Sequence, residues 1–470
     1  MRFKAVLICL ASGAAAAVVA CGDDGGANKL PDAPRSDGAT PDTPDPTTPA
    51  RLTITRDGAG VEGVDVYFQN ADYSLVAKVP TDVNGVAEAR VMPGAFVTVR
   101  DPFVVATGIR QDDLRTIAGV QPGDRLVLAQ NFAPKPVTFM NVIADADPNG
   151  SQYSLWTNCL ELNTKGGAPF GMSVGSGSLD RPQVSLDFQC TTTADVLIES
   201  NNGSGSVGWV FVDNAPLTPD GTIDIATAYL ATAQVNAAFS DIPSEVTTVA
   251  SSTYIATTDG LLWNANNGLG VGSSSASWSF PRPAPAGSTQ IWVDSMFGGG
   301  SYGEQQVVDW KPIADPPTFS FANTLLRSFT DGPQFDIPSH AVTWGETATG
   351  VAPDVAIVAM TAYREVPAPL AWKWTIAAVP TGASIVYPVL PPDLAGYNAI
   401  AGDISNVFSL KTAKVPGGYD AIRPVALSYE NVVSLVAGAA GRVVVQTYVG
   451  AILAAAPKPT LGQRATTRSR

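Results

Sequence analysis

Trp372-Lys373-Trp374-Thr375-Ile376 alternates large apolar side chains with polar ones. Successive side chains of a strand point to opposite faces, so this spacing sets both indoles and the isoleucine on one face, with Lys373 and Thr375 opposite. Outward from it, strand-like runs recur at Gln290-Ile291-Trp292-Val293, Val355 to Tyr363 and Arg442 to Tyr448. Gly and Pro number 44 and 37, charged residues make up only 15% of the chain, and long helical periodicities are scarce. These features predict an all-β protein. Of its 470 residues, enough remain after the N-terminal region for several tandem β-sandwich domains.

The first of these is expected over 51–133. Leu52 and Ile54, then Val64, Val66 and Phe68, repeat at period two. Thr81-Asp82-Val83-Asn84-Gly85 and Pro93-Gly94 supply turn residues between strands, and Pro122-Gly123-Asp124 precedes a last strand, Arg125 to Leu128. Gly60-Val61-Glu62-Gly63-Val64-Asp65-Val66, the Thr81–Gly85 turn and Pro93-Gly94-Ala95-Phe96 resemble the carboxypeptidase-regulatory-like (transthyretin-like) modules of bacterial surface proteins. Bacterial immunoglobulin-like modules have a similar cadence, and the topology stays open between the two. The resemblance implies a non-catalytic spacer or stabilising module and transfers no functional residue. A second β-sandwich is expected over 134–240, from Val137 to Val142, Val184 to Phe188 and Asp195 to Ile198, with a turn at Thr218-Pro219-Asp220-Gly221. A larger C-terminal sandwich spans 241–455, and 456–470 is a tail. No internal repeat at a fixed period is evident.

The N-terminus has a different grammar. Arg2 and Lys4 precede an apolar run, Ala5 to Ala20, too short to cross a bilayer as a stable helix. Val18-Val19-Ala20-Cys21 resembles the lipobox of bacterial lipoproteins, which implies removal of residues 1–20 and a diacylglycerol thioether plus an N-acyl chain on Cys21. Each buried methylene contributes roughly 0.8 kcal/mol, so several acyl chains hold a protein stably at a membrane. Residues 21–50 are rich in Asp, Pro, Thr and Gly and cannot bury enough surface to fold. They read as a disordered Pro/Asp/Thr tether reaching on the order of 80 to 90 Å. By the same resemblance, Gly22 is compatible with delivery to the outer membrane.

The formal charge is −14, becoming −16 without Arg2 and Lys4, since residues 1–20 hold no Asp or Glu. Nucleic-acid binding depends on clustered Lys and Arg, so no nucleic-acid partner is expected. Once Cys9 is discarded and Cys21 acylated, Cys159 and Cys190 remain as a pair in an oxidising setting. A disulfide between them would close 31 residues and contribute roughly 3 to 4 kcal/mol. Two buried free thiols are the alternative.

Candidate chemistry is sparse. Asp145, Asp147 and Asn149, followed by Gly150, match the first half of a calcium loop, but Trp156 stands where the bidentate Glu belongs and Pro148 interrupts the loop. The same residues also suit a metal-free turn. Gly171 to Gly175 and Gly299 to Gly303 fit the G-x-S-x-G pattern without the strand-turn-helix context of a nucleophile elbow. His340 is the only histidine, which excludes a His/Cys zinc set. Paired carboxylates for glycoside cleavage are open among 42 acidic residues, with no local reason to choose any pair. Trp263, Asn264 and Asn266 set amides beside an indole in an expected loop, the segment best suited to a carbohydrate ligand. The expectation is an outer-membrane-anchored lipoprotein, touching the membrane only through its lipid, and acting as a non-catalytic surface binding or structural module for a polysaccharide or protein ligand, without a cofactor. The alternatives are a hydrolase of extracellular polymer and a subunit of an envelope complex.

Overall fold

The computed structural model describes residues 48–100, 111–130, 138–158, 172–176, 183–188, 192–244, 246–257, 260–270, 274–298, 304–312, 317–366, 370–426 and 441–449. It is nearly all β. Cys21, Cys159 and Cys190 lie outside these residues, as does most of the expected tether.

One sheet of twelve strands organises the molecule. Along the chain they are β1 (Asp65–Gln69), β2 (Leu75–Pro80), β3 (Ala95–Arg100), β4 (Gln111–Val120), β5 (Val246–Thr257), β6 (Gly260–Gly270), β7 (Thr289–Gly298), β8 (Glu304–Pro312), β9 (Val355–Arg364), β10 (Leu370–Ala378), β11 (Ile404–Lys414) and β12 (Arg442–Val449). Their order across the sheet is β6-β5-β7-β8-β12-β11-β9-β10-β4-β3-β1-β2. Neighbours are antiparallel except β10 and β4, which pair in parallel from Ala371↔Gln111 to Ala377↔Ile117. The spans 51–133 and 241–455 thus contribute strands to one continuous sheet.

Both faces of this sheet are covered. On one, Val66, Val97, Ile117, Ile357, Ala377 and Val443 share a core with Leu52, Ile54, Leu126 and Leu128 from a four-stranded sheet, so residues of both spans are buried together. The other face carries two cores. Trp372, Trp374 and Ile376 pack beneath a three-stranded sheet built on Phe329–Asp336, Ala341–Glu346 and Ser384–Val386. Trp292, Met296 and Val307 pack beneath another, built on Ala233–Ser240, Ala276–Arg282 and Thr318–Ser320. The side expected to be polar in Trp372–Ile376 is therefore partly covered too: Thr375 is buried, though Lys373 remains intermediate. A central strand of a sheet covered on both faces has no wet side.

The span 138–231 forms its own two-sheet sandwich. Thr138–Ala144 pairs with Gln183–Phe188 and Gly221–Ile225, facing a five-stranded sheet that includes Gln152–Thr157, Thr193–Asn201 and Ser206–Pro216. Met140, Val142, Tyr153, Leu155, Val196 and Ile198 fill the space between. The expected turns are present: Gly85 and Gly94 take φ of +76° and +86°, and the Gly221 amide bonds the Thr218 carbonyl at 2.8 Å. At Gly85 a side chain would be obstructed as well as strained, because a Cβ would lie 2.1 Å from the Ile54 carbonyl oxygen.

Among the described residues no helix is long and apolar enough to cross a membrane.

Candidate functional site

Two acidic side chains of Thr193–Asn201 reach out of the 138–231 sandwich to the edge of the large sheet. Four residues apart, Asp195 and Glu199 fall on the same strand face. Asp195 Oδ1 accepts the Asn214 amide at 3.0 Å, and Oδ2 accepts the Thr257 hydroxyl of β5 at 2.5 Å. Glu199 Oε2 accepts two indole N–H groups, from Trp156 at 3.2 Å and from Trp263 of β6 at 3.3 Å. Among the described residues no cation bridges Glu199, which is 7% exposed.

The two indoles lie 6.2 Å apart at a 59° tilt, and Trp263 stacks on Phe280 at 6.5 Å. Leu197 and Trp209 of the smaller sandwich join the core of β5, β7 and their covering sheet, with Trp156 and Phe211 half-buried at its margin. The seam is apolar, with a carboxylate at its centre and aromatic rings on both walls.

The structure corrects the expectation at Trp263. The segment is strand β6, not a loop, and the indole is 3% exposed. Trp263 is therefore a wall of the core and offers no free stacking face. Strand alternation also separates it from Asn264 and Asn266, which point to the opposite side. Ten pairings to β5, from Thr248↔Gly270 to Thr257↔Gly260, hold the segment extended where a loop is expected.

Asp145, Asp147 and Asn149 follow the strand Thr138–Ala144 and form a hydrogen-bonded turn. Asp147 Oδ1 accepts the Asn149 amide at 2.9 Å, the Asp147 carbonyl accepts the Gly150 amide at 3.0 Å, and the Asp147 amide donates to the Tyr153 hydroxyl at 2.9 Å. Its second carboxylate oxygen packs against backbone, since a Cβ on Gly208 would stand 2.6 Å away. No group of three or more His, Cys, Asp or Glu side chains that could hold a metal occurs among the described residues.

Ser173 lies within the strand Met172–Ser176, and Ser301 lies outside the described residues. His340 ends the turn between Phe329–Asp336 and Ala341–Glu346 with φ +50°, its ring 5.4 Å from Tyr387 and 6.2 Å from Tyr73. The residues missed in the sequence are Trp156, Asp195 and Glu199. One signal was available for two of them: acidic residues inside the apolar run Ala194 to Ile198 and its extension, where an unpartnered charge is costly.

No family model matches the chain, and no curated protein does. Among solved structures, the TIE protein of Bacillus anthracis is 12% identical over 58% of this chain and 49% of its own, with a TM-score of 0.14. A family CBM26 module of Eubacterium rectale Amy13K, solved with maltoheptaose, is 10% identical over 39% of this chain and 97% of its own, with a TM-score of 0.16. A streptococcal ancillary pilin is 9% identical over 58% of this chain and 97% of its own, with a TM-score of 0.14. At such scores neither fold relation nor role passes from them to this chain.

Proposed function

We propose that this chain is an outer-membrane-anchored lipoprotein whose folded part is a non-catalytic surface module, binding a polysaccharide or protein ligand or bracing the envelope. The observation that carries the reading is Val18-Val19-Ala20-Cys21, followed by a segment rich in Asp, Pro, Thr and Gly that ends where the first strand, Ala50–Arg56, begins. That strand pairs with Val86–Ala89 and Arg125–Gln130, and its Leu52 and Ile54 enter the core shared with the large sheet. Tension on the tether would therefore be taken up by the main body, which suits a module held away from a membrane better than a detachable spacer would.

Intact mass of the native chain is expected to carry a lipid adduct on Cys21, and a Cys21→Ser variant is expected to leave the detergent-extractable membrane fraction. An unmodified mass would overturn the anchoring. For the ligand, the seam is the surface of choice because Trp156 is its half-buried ring. Trp156→Ala is expected to abolish glycan-array binding shown by the parent chain; retained binding would remove the seam from the reading and leave the anchor untouched.

A further inference from the structure

The strongest unexplained group lies inside the C-terminal sandwich. On β7, Gln290, Trp292, Asp294 and Met296 share the face covered by the sheet of Ala233–Ser240, Ala276–Arg282 and Thr318–Ser320. Asp294 is 0% exposed. One carboxyl oxygen, Oδ1, meets the hydroxyl of Ser251 on β5 at 2.6 Å; the other, Oδ2, has no partner among the described residues, nor has the Nε1 of neighbouring Trp292.

The surroundings do not favour a charge here. From β8, Asp309 adds a second carboxylate. From β12, Arg442 is committed elsewhere: its Nε lies 2.9 and 3.0 Å from the two Asp309 oxygens, and its Nη1 donates to the Ser320 carbonyl at 2.6 Å and Thr324 at 3.1 Å. From the covering sheet come aromatic rings, Phe239, Phe319 and Phe321, while Arg282 of that sheet bonds Gln290, four residues along β7. An ionised carboxylate with one hydroxyl donor and a like-charged neighbour is unfavourable in such an interior.

We propose that Asp294 is held as the neutral acid and acts as a proton-dependent latch: protonated, it bonds β7 to β5, and loss of its proton loosens the β5-β7-β8 part of the sheet. In the latched form the Ser251 hydroxyl donates to Oδ1, the carbonyl-like oxygen, and the acid proton sits on Oδ2, so that a neutral hydroxyl is buried there and not a charge. On release, the proton passes to solvent and Asp294 and Asp309 compete for Arg442. Burial first, and Asp309 after it, pushes the Asp294 carboxyl up to about 7, against the smaller opposing pull of Ser251 and Arg442. The sign follows: between the ordinary carboxylate range and that value the folded chain keeps a proton the unfolded chain has lost. Stability then falls as pH rises, by at most about tenfold in the unfolding constant per pH unit, and levels off above it.

The test compares the full chain with Asp294→Asn. The infrared difference spectrum near pH 6 is expected to show a carboxylic-acid carbonyl band in the wild type that fades toward pH 9 and is absent from the variant. Amide exchange in β5, β7 and β8, corrected for its intrinsic base catalysis, is expected to quicken from the ordinary carboxylate range up to about pH 7 in the wild type alone and to level off above it. Absence of the band, or exchange curves that run parallel in the two proteins, would overturn the latch. Should Asp294→Asn fail to fold, Ser251→Ala serves instead: it removes the hydrogen-bond partner of the acid and is expected to shift the band, and an unmoved band would also overturn the proposal.

Discussion

The β10-β4 joint and the β5-β7-β8 region belong to one sheet and bury the same face, yet their interiors differ in chemistry. At the joint, Trp372, Trp374, Ile376 and Leu114 are each 0% exposed. Its polar atoms run in a short chain: Trp374 Nε1 donates to Thr116 Oγ1 at 2.9 Å, and Thr116 and Thr98 exchange a hydrogen bond at 2.9 Å, tying β10 to β4 and β3. From the opposite face the Tyr419 hydroxyl lies 2.9 Å from both the Ala118 and Ala377 carbonyls, sharing its one proton between the same two strands. In the β5-β7-β8 region Thr253, Gln290 and Asp294 are also 0% exposed, but among the described residues Asp294 Oδ2 has no partner. Burial alone therefore does not describe a core. What differs is the kind of buried polar atom left without a complement among the described residues, the Trp372 indole N–H at the joint and an ionisable carboxyl oxygen in the β5-β7-β8 region, which sets how each region responds to pH.

The largest effect should come from the joint. Trp374→Ala removes a fully buried indole and is expected to cost about 3 to 5 kcal/mol, read as a lower denaturant midpoint that does not vary near neutral pH, because the ionisable group packed on that ring, Tyr387, has its pKa pushed further up by burial. An effect below about 1 kcal/mol would mean that β10 and β4 are held by their backbone ladder rather than by the aromatic core.

Next comes Arg442→Met in the polar region. It leaves Asp309 buried without its bidentate partner and is expected to cost about 3 kcal/mol, with most of the loss recovered when Asp309→Leu is added. Additive losses in that double variant would show that Arg442 acts through Ser320 and Thr324 instead.

Thr116→Val tests the joint more finely. Keeping the shape while deleting the acceptor of the Trp374 N–H should cost about 1 to 2 kcal/mol, measurable by the same midpoint.

The smallest effect belongs to the seam. Trp263→Phe removes one of two donors to Glu199 and should cost about 1 kcal/mol, with Trp156→Phe lower because that ring is less buried. Comparable losses at both positions would make the seam a symmetric clamp rather than a wall with a half-open margin.

Much of the strand content was legible because alternation is a local property. Leu52 and Ile54, Val66 and Phe68, and Trp372 to Ile376 each lie in the strand their spacing implies, and the turns at Gly85, Gly94 and Gly221 follow from residues that tolerate those backbone shapes. The candidate site was less legible. Trp263, Asn264 and Asn266 read as one cluster because they are adjacent in sequence, whereas a strand sends adjacent residues to opposite faces. Glu199 lies 64 residues from Trp263, and nothing in either local run announces the other.

By itself the sequence determined the β character of the chain, its turns and its acidity, since each depends on short-range periodicity or composition. Only the tertiary structure decided that strands near residues 111–120 and 370–378 lie side by side, that one carboxylate gathers two distant indoles, and that Asp294 is buried away from a counter-charge. The physical reason is that parallel pairing, burial and electrostatic environment are set by chain segments far apart in sequence, from 43 residues for Trp156 and Glu199 to 258 for Trp374 and Thr116, and a local pattern names which side chains want company without naming who supplies it.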